Sequence, residues 1–343
     1  MEFLRARDGQ RPAPGGLAPM AAGLTHSSDA ALVDPELSVP RIAVLVPCHN
    51  EEAAVAKVVA DFRAALPRAT IYVYDNASTD RTAEVARAAG AVVRREPLKG
   101  KGHVVRRMFA DVEADIYVLV DGDATYDAAS APAMVDKLRS DLLDMVNGAR
   151  VTKEADAYRA GHRAGNRILT RIVSMVFGNR IQDMLSGFRV FSRRFVKSFP
   201  ALSTGFEIET ELTVHALELC MPVCEVATPY GSRPAGSNSK LSTFRDGVRI
   251  LLTIITLLKE ERPLMFFGAI SALLALLSLV LGYPLIVTYF EIHLVPRFPT
   301  AILCSAIMLL AFLSLSAGFI LDTVTRGRLE MKRMRYLSLP VWQ

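Results

Sequence analysis

The sequence predicts an α/β domain built on a mostly parallel sheet, followed by an interfacial amphipathic helix and two transmembrane helices. Three observations predict it. Short apolar, β-branched runs alternate with helical periods up to about Asn147, the pattern of a parallel sheet with helices on both faces. Acids follow the ends of those runs at Asp75, Asp121 and Asp123, where open parallel sheets bind nucleotide ligands. Two stretches, Leu264 to Phe290 and Phe298 to Leu321, carry no charge over 27 and 24 residues.

With 343 residues there is room for one large α/β domain and something more. Apolar residues make up 51% while 22% are charged, so the apolar excess is concentrated rather than spread. Forty basic against 35 acidic residues leave a net charge of +5, a mild balance that does not point to a nucleic-acid partner. Cys48, Cys220, Cys224 and Cys304 form no disulfide framework, which favours a reducing, cytosolic main domain, and Cys220 and Cys224 lack neighbours for a zinc site.

Residues 1–39 are rich in Ala, Pro, Gly and Ser without periodicity, and read as a disordered tail rather than a signal peptide. The domain then runs over 40–240. A first strand, Ile42 to Val46, is broken by Pro47, and Asn50 is expected to cap a helix with Glu51 and Glu52 in its first turn, reaching about Leu66. A second strand, Ile71 to Tyr74, ends in Asp75. A third, Ala91 to Arg94, leads into K-G-K-G, where Lys101 could approach a phosphate or lie on a solvated basic turn.

The fourth strand ends in D-G-D. Alternate residues of an extended chain point the same way, so Asp121 and Asp123 could face one divalent cation, with Gly122 leaving room for a ligand. An Asp-Gly turn with solvated acids is the plainer alternative. No G-x-G-x-x-G follows the first strand, which disfavours a dinucleotide oxidoreductase.

From Arg150 to Lys240 the texture is basic, with Arg150, Arg163, Arg167, Arg171, Arg180 and Arg189 among helically spaced apolar residues. Glu207, Glu209 and Glu211 open a further helix, where acids complement its dipole. Arg233 and Lys240 sit on a Gly/Ser-rich loop able to wrap an anion.

Residues 241–262 read as a juxtamembrane amphipathic helix, 263–322 as a transmembrane hairpin and 323–343 as a basic cytoplasmic tail. At about 1.5 Å per residue both uncharged stretches can cross a hydrocarbon core of about 30 Å. A buried core hairpin is the alternative. Lys259 and Arg262 precede the first span, and Arg326, Arg328, Lys332, Arg333 and Arg335 follow the second. The positive-inside rule then puts both termini and the catalytic domain in the cytosol, beneath the inner membrane.

Four motifs in order, P-C-H-N-E-E (47–52), D-N-A-S-T-D-R-T (75–82), D-G-D (121–123) and R-P-A-G-S-N-S-K (233–240), resemble the inverting family 2 glycosyltransferases of GT-A fold. The nearest resemblance is to the polyprenyl-phosphate sugar synthases, which include dolichol-phosphate mannose synthase and bacterial undecaprenyl-phosphate glucosyltransferases. It covers about residues 41–262.

The resemblance implies a nucleotide-sugar donor, a polyprenyl phosphate acceptor, a magnesium or manganese ion and assembly into homo-oligomers. Asp75 would contact the base, with Pro47, Asn50 and Glu51 shaping its pocket. Asp121 and Asp123 would flank the diphosphate, Asp123 as metal ligand. H-R-A-G-N (162–166) and S-G-F-R (186–189) resemble acceptor-phosphate segments, which brings in Arg163 and Arg189; Arg150 joins that basic set. Arg233 and Lys240 match the mobile loop that closes over phosphates. Thr125 departs from the glutamine common in mannose synthases at that place.

A phosphate monoester with a second pKa of about 6 is largely dianionic at cytosolic pH and needs no strong base. Asp183 and Glu207 are the candidate bases if one is used, and otherwise hold arginines in place. UDP-glucose or UDP-N-acetylglucosamine is favoured over GDP-mannose. A processive polysaccharide synthase and a non-enzymatic, membrane-tethered nucleotide-binding protein are the competing readings. The first is disfavoured by the absence of Q-x-x-R-W, since Trp342 is the only tryptophan.

Overall fold

The computed structural model describes residues 40–151, 181, 183–205, 207–232, 255–256 and 258–340. Among the described residues, seven strands form one sheet: β1 (Ile42–Cys48), β2 (Thr70–Asp75), β3 (Val92–Arg95), β4 (Ile116–Leu119), β5 (Met145–Val151), β6 (Arg189–Ser192) and β7 (Val223–Pro229). Their order is β3-β2-β1-β4-β6-β5-β7. Only β6 runs against its neighbours β4 and β5. The other pairs are parallel.

The apolar runs are continuous because both faces are covered. Ala43, Leu45, Tyr117 and Leu119 face a core shared with α3 (Lys101–Asp111), α5 (Arg193–Ser198) and α6 (Ile208–Glu218). Val44, Val46, Val73 and Val118 face a second core, shared with α1 (Val55–Ala65) and α4 (Ala131–Ser140). Between them, α2 (Thr82–Ala88) follows β2. Alternation along one strand thus feeds two cores, and every parallel strand delivers its last residues to one carboxyl edge.

One expected boundary moves. Helix α1 begins at Val55, not beside Asn50, which adopts a left-handed conformation with φ of 54°. Its side chain is engaged elsewhere, as described below.

The uncharged stretches lie in α7 (Pro263–Ile292) and α8 (Phe298–Leu337), helices of 30 and 40 residues. They pair through small residues spaced seven apart: Ser271 and Ser278 on α7, and Cys304, Ala311 and Gly318 on α8, are the buried small residues of the hairpin. Ser278 donates to the Cys304 carbonyl at 2.8 Å and Ser314 to that of Phe267 at 3.0 Å. Only 6% and 17% of their most apolar windows are buried, so among the described residues the apolar surface of this hairpin is largely uncovered.

The tail expected from residue 323 is instead the continuation of α8. Its last turns lie on the α/β domain, with Leu329 and Tyr336 packed against the first core. Lys332 Nζ lies 2.8 Å from Glu218 and 3.9 Å from Glu261, two residues before the first apolar helix.

Burial, and then the Glu218 carboxylate, push the Glu261 carboxyl up to about 7 from its ordinary 4.5. Glu261 therefore binds a proton on folding between those values, and stability falls as pH rises through that window. Glu261→Gln should raise the thermal unfolding midpoint of the detergent-solubilised protein at pH 8 and leave it nearly unchanged at pH 5. An equal shift at both pH values would contradict this proton uptake.

Candidate active site at the carboxyl edge

Three loops meet beyond the ends of β1, β2 and β3, and two asparagines fasten them. Asn50 Oδ1 accepts from the Thr79 amide at 2.8 Å, while the Asn50 amide donates to Ser78 Oγ at 2.9 Å. The Glu51 amide donates to Thr82 Oγ1 at 2.8 Å, and Arg81 donates to Glu52 at 2.6 and 2.8 Å. Asn76 reaches the third loop: its amide group donates to the Glu96 and Leu98 carbonyls, and its oxygen accepts from the Gly100 amide at 2.8 Å. Each loop thus supplies the partners that the others' polar groups lost on burial.

Asp75, buried at the end of β2, accepts from the Ser78 amide at 3.2 Å and lies 3.9 Å from Arg95. Pro47 and Glu51 flank it on the adjacent strand and loop, Pro47 beside Tyr74 and Cys48 beside Asp75 in the β1–β2 register.

Asp121 and Asp123 follow β4, and the structure treats them differently. Asp123 is buried, and its Oδ1 accepts from the Thr125 hydroxyl at 2.6 Å and the Thr125 amide at 3.2 Å. Thr125, the departure noted in the sequence, fixes that carboxylate. Asp121 Oδ1 takes a proton donor from Lys101, and a Cβ on Gly187 would lie 2.3 Å from Asp121 Oδ2. Gly122 leaves no room for a ligand: a Cβ there would lie 2.4 Å from Cys48 Sγ, so the missing side chain admits the end of β1.

Lys101 is the main correction. Neither a solvated turn nor a phosphate-facing group, its side chain is 8% exposed, bonded to Asp121 and to Glu209 Oε1 at 2.5 Å. Burial alone would lower its pKa, but the two carboxylates outweigh burial and raise it, so the ammonium is permanent. A cation in the first turn of α3 opposes that helix's dipole, and only paired acids make it tolerable there. Gly100, at φ of 133°, lets the turn in: a Cβ would lie 2.1 Å from the Thr204 carbonyl oxygen. Glu209, read from sequence as a dipole complement, is the partner that reading missed; its position among three alternating glutamates was the available signal.

The arginines also divide. Arg189 does not reach an acceptor phosphate. It is fully buried and donates to the carbonyls of Met184 at 2.6 Å and Ser186 at 3.0 Å and to Thr213 Oγ1 at 2.8 Å. Its guanidinium pins the antiparallel strand to α6. Arg150 grips Asp183 with two bonds of 2.7 Å, and its guanidinium lies 5.6 Å from the Tyr230 ring centre. Asp183 thereby orients Arg150. Glu207 precedes α6 and lines a cavity of about 400 Å³ with Ser203, Glu211 and Lys332. Arg163, Arg233 and Lys240, with residues 241–254 of the juxtamembrane helix expected over 241–262, lie outside the described residues.

The residues suit a divalent cation in one respect. Among the described residues, no group of three His, Cys, Asp or Glu side chains could hold a metal. Asp123, oriented by Thr125, would supply one carboxylate, the donor set of ions that complete their shell with substrate phosphates and water.

Residues 43–199 match Glycosyl transferase family 2. Glycosyltransferase AglJ of Haloferax volcanii is 32% identical over 300 residues, 87% of this chain and 98% of the relative. The dolichyl-phosphate hexose transferase of the same organism is 32% identical over 230 residues, 66% of this chain and 98% of the relative. The crystal structure of Mycobacterium tuberculosis glucosyl-3-phosphoglycerate synthase in complex with Mn2+, UDP and glucosyl-3-phosphoglycerate has a TM-score of 0.52 at 23% identity, covering 64% of this chain and 80% of that one. That likeness shows the GT-A fold.

Lys101→Met should destabilise the protein by about 3–5 kcal/mol, the cost of stranding a buried charge. Lys101→Met with Glu209→Met should recover a large part of it. Denaturant unfolding of both variants checks this, and equal losses would contradict a paired origin.

Proposed function

The chain belongs to glycosyl transferase family 2, and from that premise we propose that it moves one hexose from a nucleotide-sugar donor to a polyprenyl phosphate, with inversion, at the cytoplasmic leaflet. UDP-glucose or UDP-N-acetylglucosamine is the favoured donor, ahead of GDP-mannose. The observation that carries the reading is Asp123, held by Thr125 at the carboxyl edge of a chain that also bears two apolar helices. The relative named dolichyl-phosphate hexose transferase supports the acceptor class, and the fold neighbour solved with Mn2+ and UDP supports the donor and ion.

In this reading an oxygen of the lipid phosphate attacks the anomeric carbon from the face opposite the diphosphate. The new C–O bond forms as the bond to the nucleoside diphosphate breaks, and the electron pair leaves with the diphosphate. The acceptor is already a dianion at neutral pH, so no protein group need deprotonate it. What the protein must do is hold two anions together.

Arg150, oriented by Asp183 and stacked on Tyr230, offers a fixed cation for one of them. Arg163, Arg233 and Lys240 keep the phosphate-binding roles that the motifs assign. Asp75 with Pro47, Asn50 and Glu51 forms the base pocket. Asp123 would hold Mg2+ or Mn2+, which when bound neutralises charge on the departing diphosphate. Asp121 serves through its pair with Lys101, and Glu207 is the acid left to test as a base. The uncharged parts of α7 and α8 span the inner membrane, with both termini and the α/β domain on the cytosolic side.

Asp123→Asn should lower hexose transfer by about 10²–10³-fold, the usual loss on removing one charge-stabilising group. Membranes containing the variant, supplied with labelled UDP-glucose and polyprenyl phosphate, provide the measurement. Chelation of the parent enzyme should abolish transfer, and added Mg2+ or Mn2+ should restore it. Unchanged turnover in the variant would remove the assignment.

A further inference from the structure

We propose that the far half of α8 is a positioning strut that turns the carboxyl edge of the sheet toward the bilayer, locked by Tyr336, Arg194 and Asp144. The inference rests on the membrane reading above for its meaning, though its geometry stands apart from it.

The lock lies at the end of the sheet opposite the site. Ser192, the last residue of the antiparallel strand β6, stands beside Ile116, the first of β4. Asp144 directly precedes β5, and its carbonyl accepts from the Ser192 amide at 3.0 Å. Asp121 and Asp123 lie past the other end of β4. Asp144 is wholly buried and collects donors from three elements: Ser192 Oγ at 2.6 Å, Arg194 Nε at 2.5 Å and Tyr336 O–H at 2.7 Å. The Arg194 guanidinium also lies 4.8 Å from the Tyr336 ring centre. No part of this cluster touches the carboxyl edge, and nothing in the proposed reaction uses it.

Successive contacts fix where α8 ends. Thr325 and Arg328 donate to the Glu260 carbonyl, next to the start of the first apolar helix. Lys332 reaches Glu218, the last residue of α6. Tyr336 reaches Asp144. Helix α6 begins at the carboxyl edge, where Glu209 meets Lys101, and Glu218 lies at its other end. Lys332 and Tyr336 thus sit at the amino side of the sheet, and in the proposal α8 reaches them from the carboxyl side, where its apolar segment ends.

The lengths agree with that direction. Leu321, the last residue before charge resumes, precedes Tyr336 by 15 residues, about 22 Å of helix. Asp121 follows Ile116 by five residues, about 17 Å of strand. With helix and strand along one axis, as the proposal requires, the carboxyl edge would come within about one helical turn of the level where the apolar segment ends. A lipid phosphate cannot leave that level without dragging its chain into water, so the domain must be held edge-on to it.

Two measurements test the strut. In a Cys220→Ser background, a fluorophore at Leu98→Cys, an exposed site past β3 on the carboxyl edge, should be quenched by lipids spin-labelled at the headgroup. One at Leu142→Cys, exposed before β5 on the amino edge, should not. Equal quenching, or the reverse, overturns the orientation whatever the enzyme's substrate proves to be.

Tyr336→Ala should cut transfer to long-chain polyprenyl phosphate in bilayers about 10-fold or more, as misplacement of a reactant does. Transfer to a water-soluble, short-chain isoprenyl phosphate should stay within about 2-fold of the parent, since the reacting groups are untouched. Tyr336→Phe, which keeps the ring and loses only the bond to Asp144, should show a smaller split of the same sign. Equal losses on both acceptors, or no loss on either, overturn the positioning role. A parent enzyme inactive on both acceptors would instead sink the proposed function while leaving the quenching result to decide the strut.

Discussion

The ammonium of Lys101, shut between Asp121 and Glu209, is the constraint on which the rest of the molecule depends. It joins the start of α3, the loop beyond β4 and the first turn of α6, segments separated by up to 108 residues. A buried charge of this kind has one satisfactory geometry, because any slippage leaves an ion without a counter-ion in a medium that solvates it poorly. Once α6 is fixed at its first turn, its last residue, Glu218, is fixed too. Glu218 holds Lys332, and Lys332 is part of the same helix as the apolar segment of α8. One rigid sequence of contacts therefore runs from the carboxyl edge to the apolar hairpin.

The same economy explains how the acids and arginines are shared out. Of the two strand-tip acids, one is spent on structure and one is left oriented by a hydroxyl. Arg189 is sunk between strand and helix, while Arg150, clamped by Asp183 against Tyr230, keeps a defined pose at the edge. A site that brings two phosphorylated substrates together needs its cations placed beforehand. Guanidinium groups held by two bonds lose little freedom when an anion arrives.

The fold was legible because its signals are local. Ile42 to Val46 and Tyr117 to Val120 are apolar runs that only a sheet covered on both faces requires, and two uncharged segments of over twenty residues have few soluble uses. The positions of Asp75, Asp121 and Asp123 at strand ends followed from the same runs. Partnership did not follow. Nothing local to Lys101 separates a buried triad from a solvated basic turn, since Glu209 arrives from far along the chain. Arg189 reads as a surface cation until Met184, Ser186 and Thr213 close around it. Asn50 looks like a cap because Glu51 and Glu52 follow it, yet its side chain serves a loop from the next unit. The strut was half visible: Leu329, Lys332 and Tyr336 share one helical face, but the charges around them resemble a solvated tail.

The central claim, single transfer to a membrane-held phosphate with inversion, is tested most directly by the product itself. Purified protein in nanodiscs, given UDP-glucose and polyprenyl phosphate, should yield a lipid carrying one hexose per phosphate, with an anomeric configuration opposite to the donor's by NMR. A retained configuration, a growing polymer or free sugar alone would contradict the account.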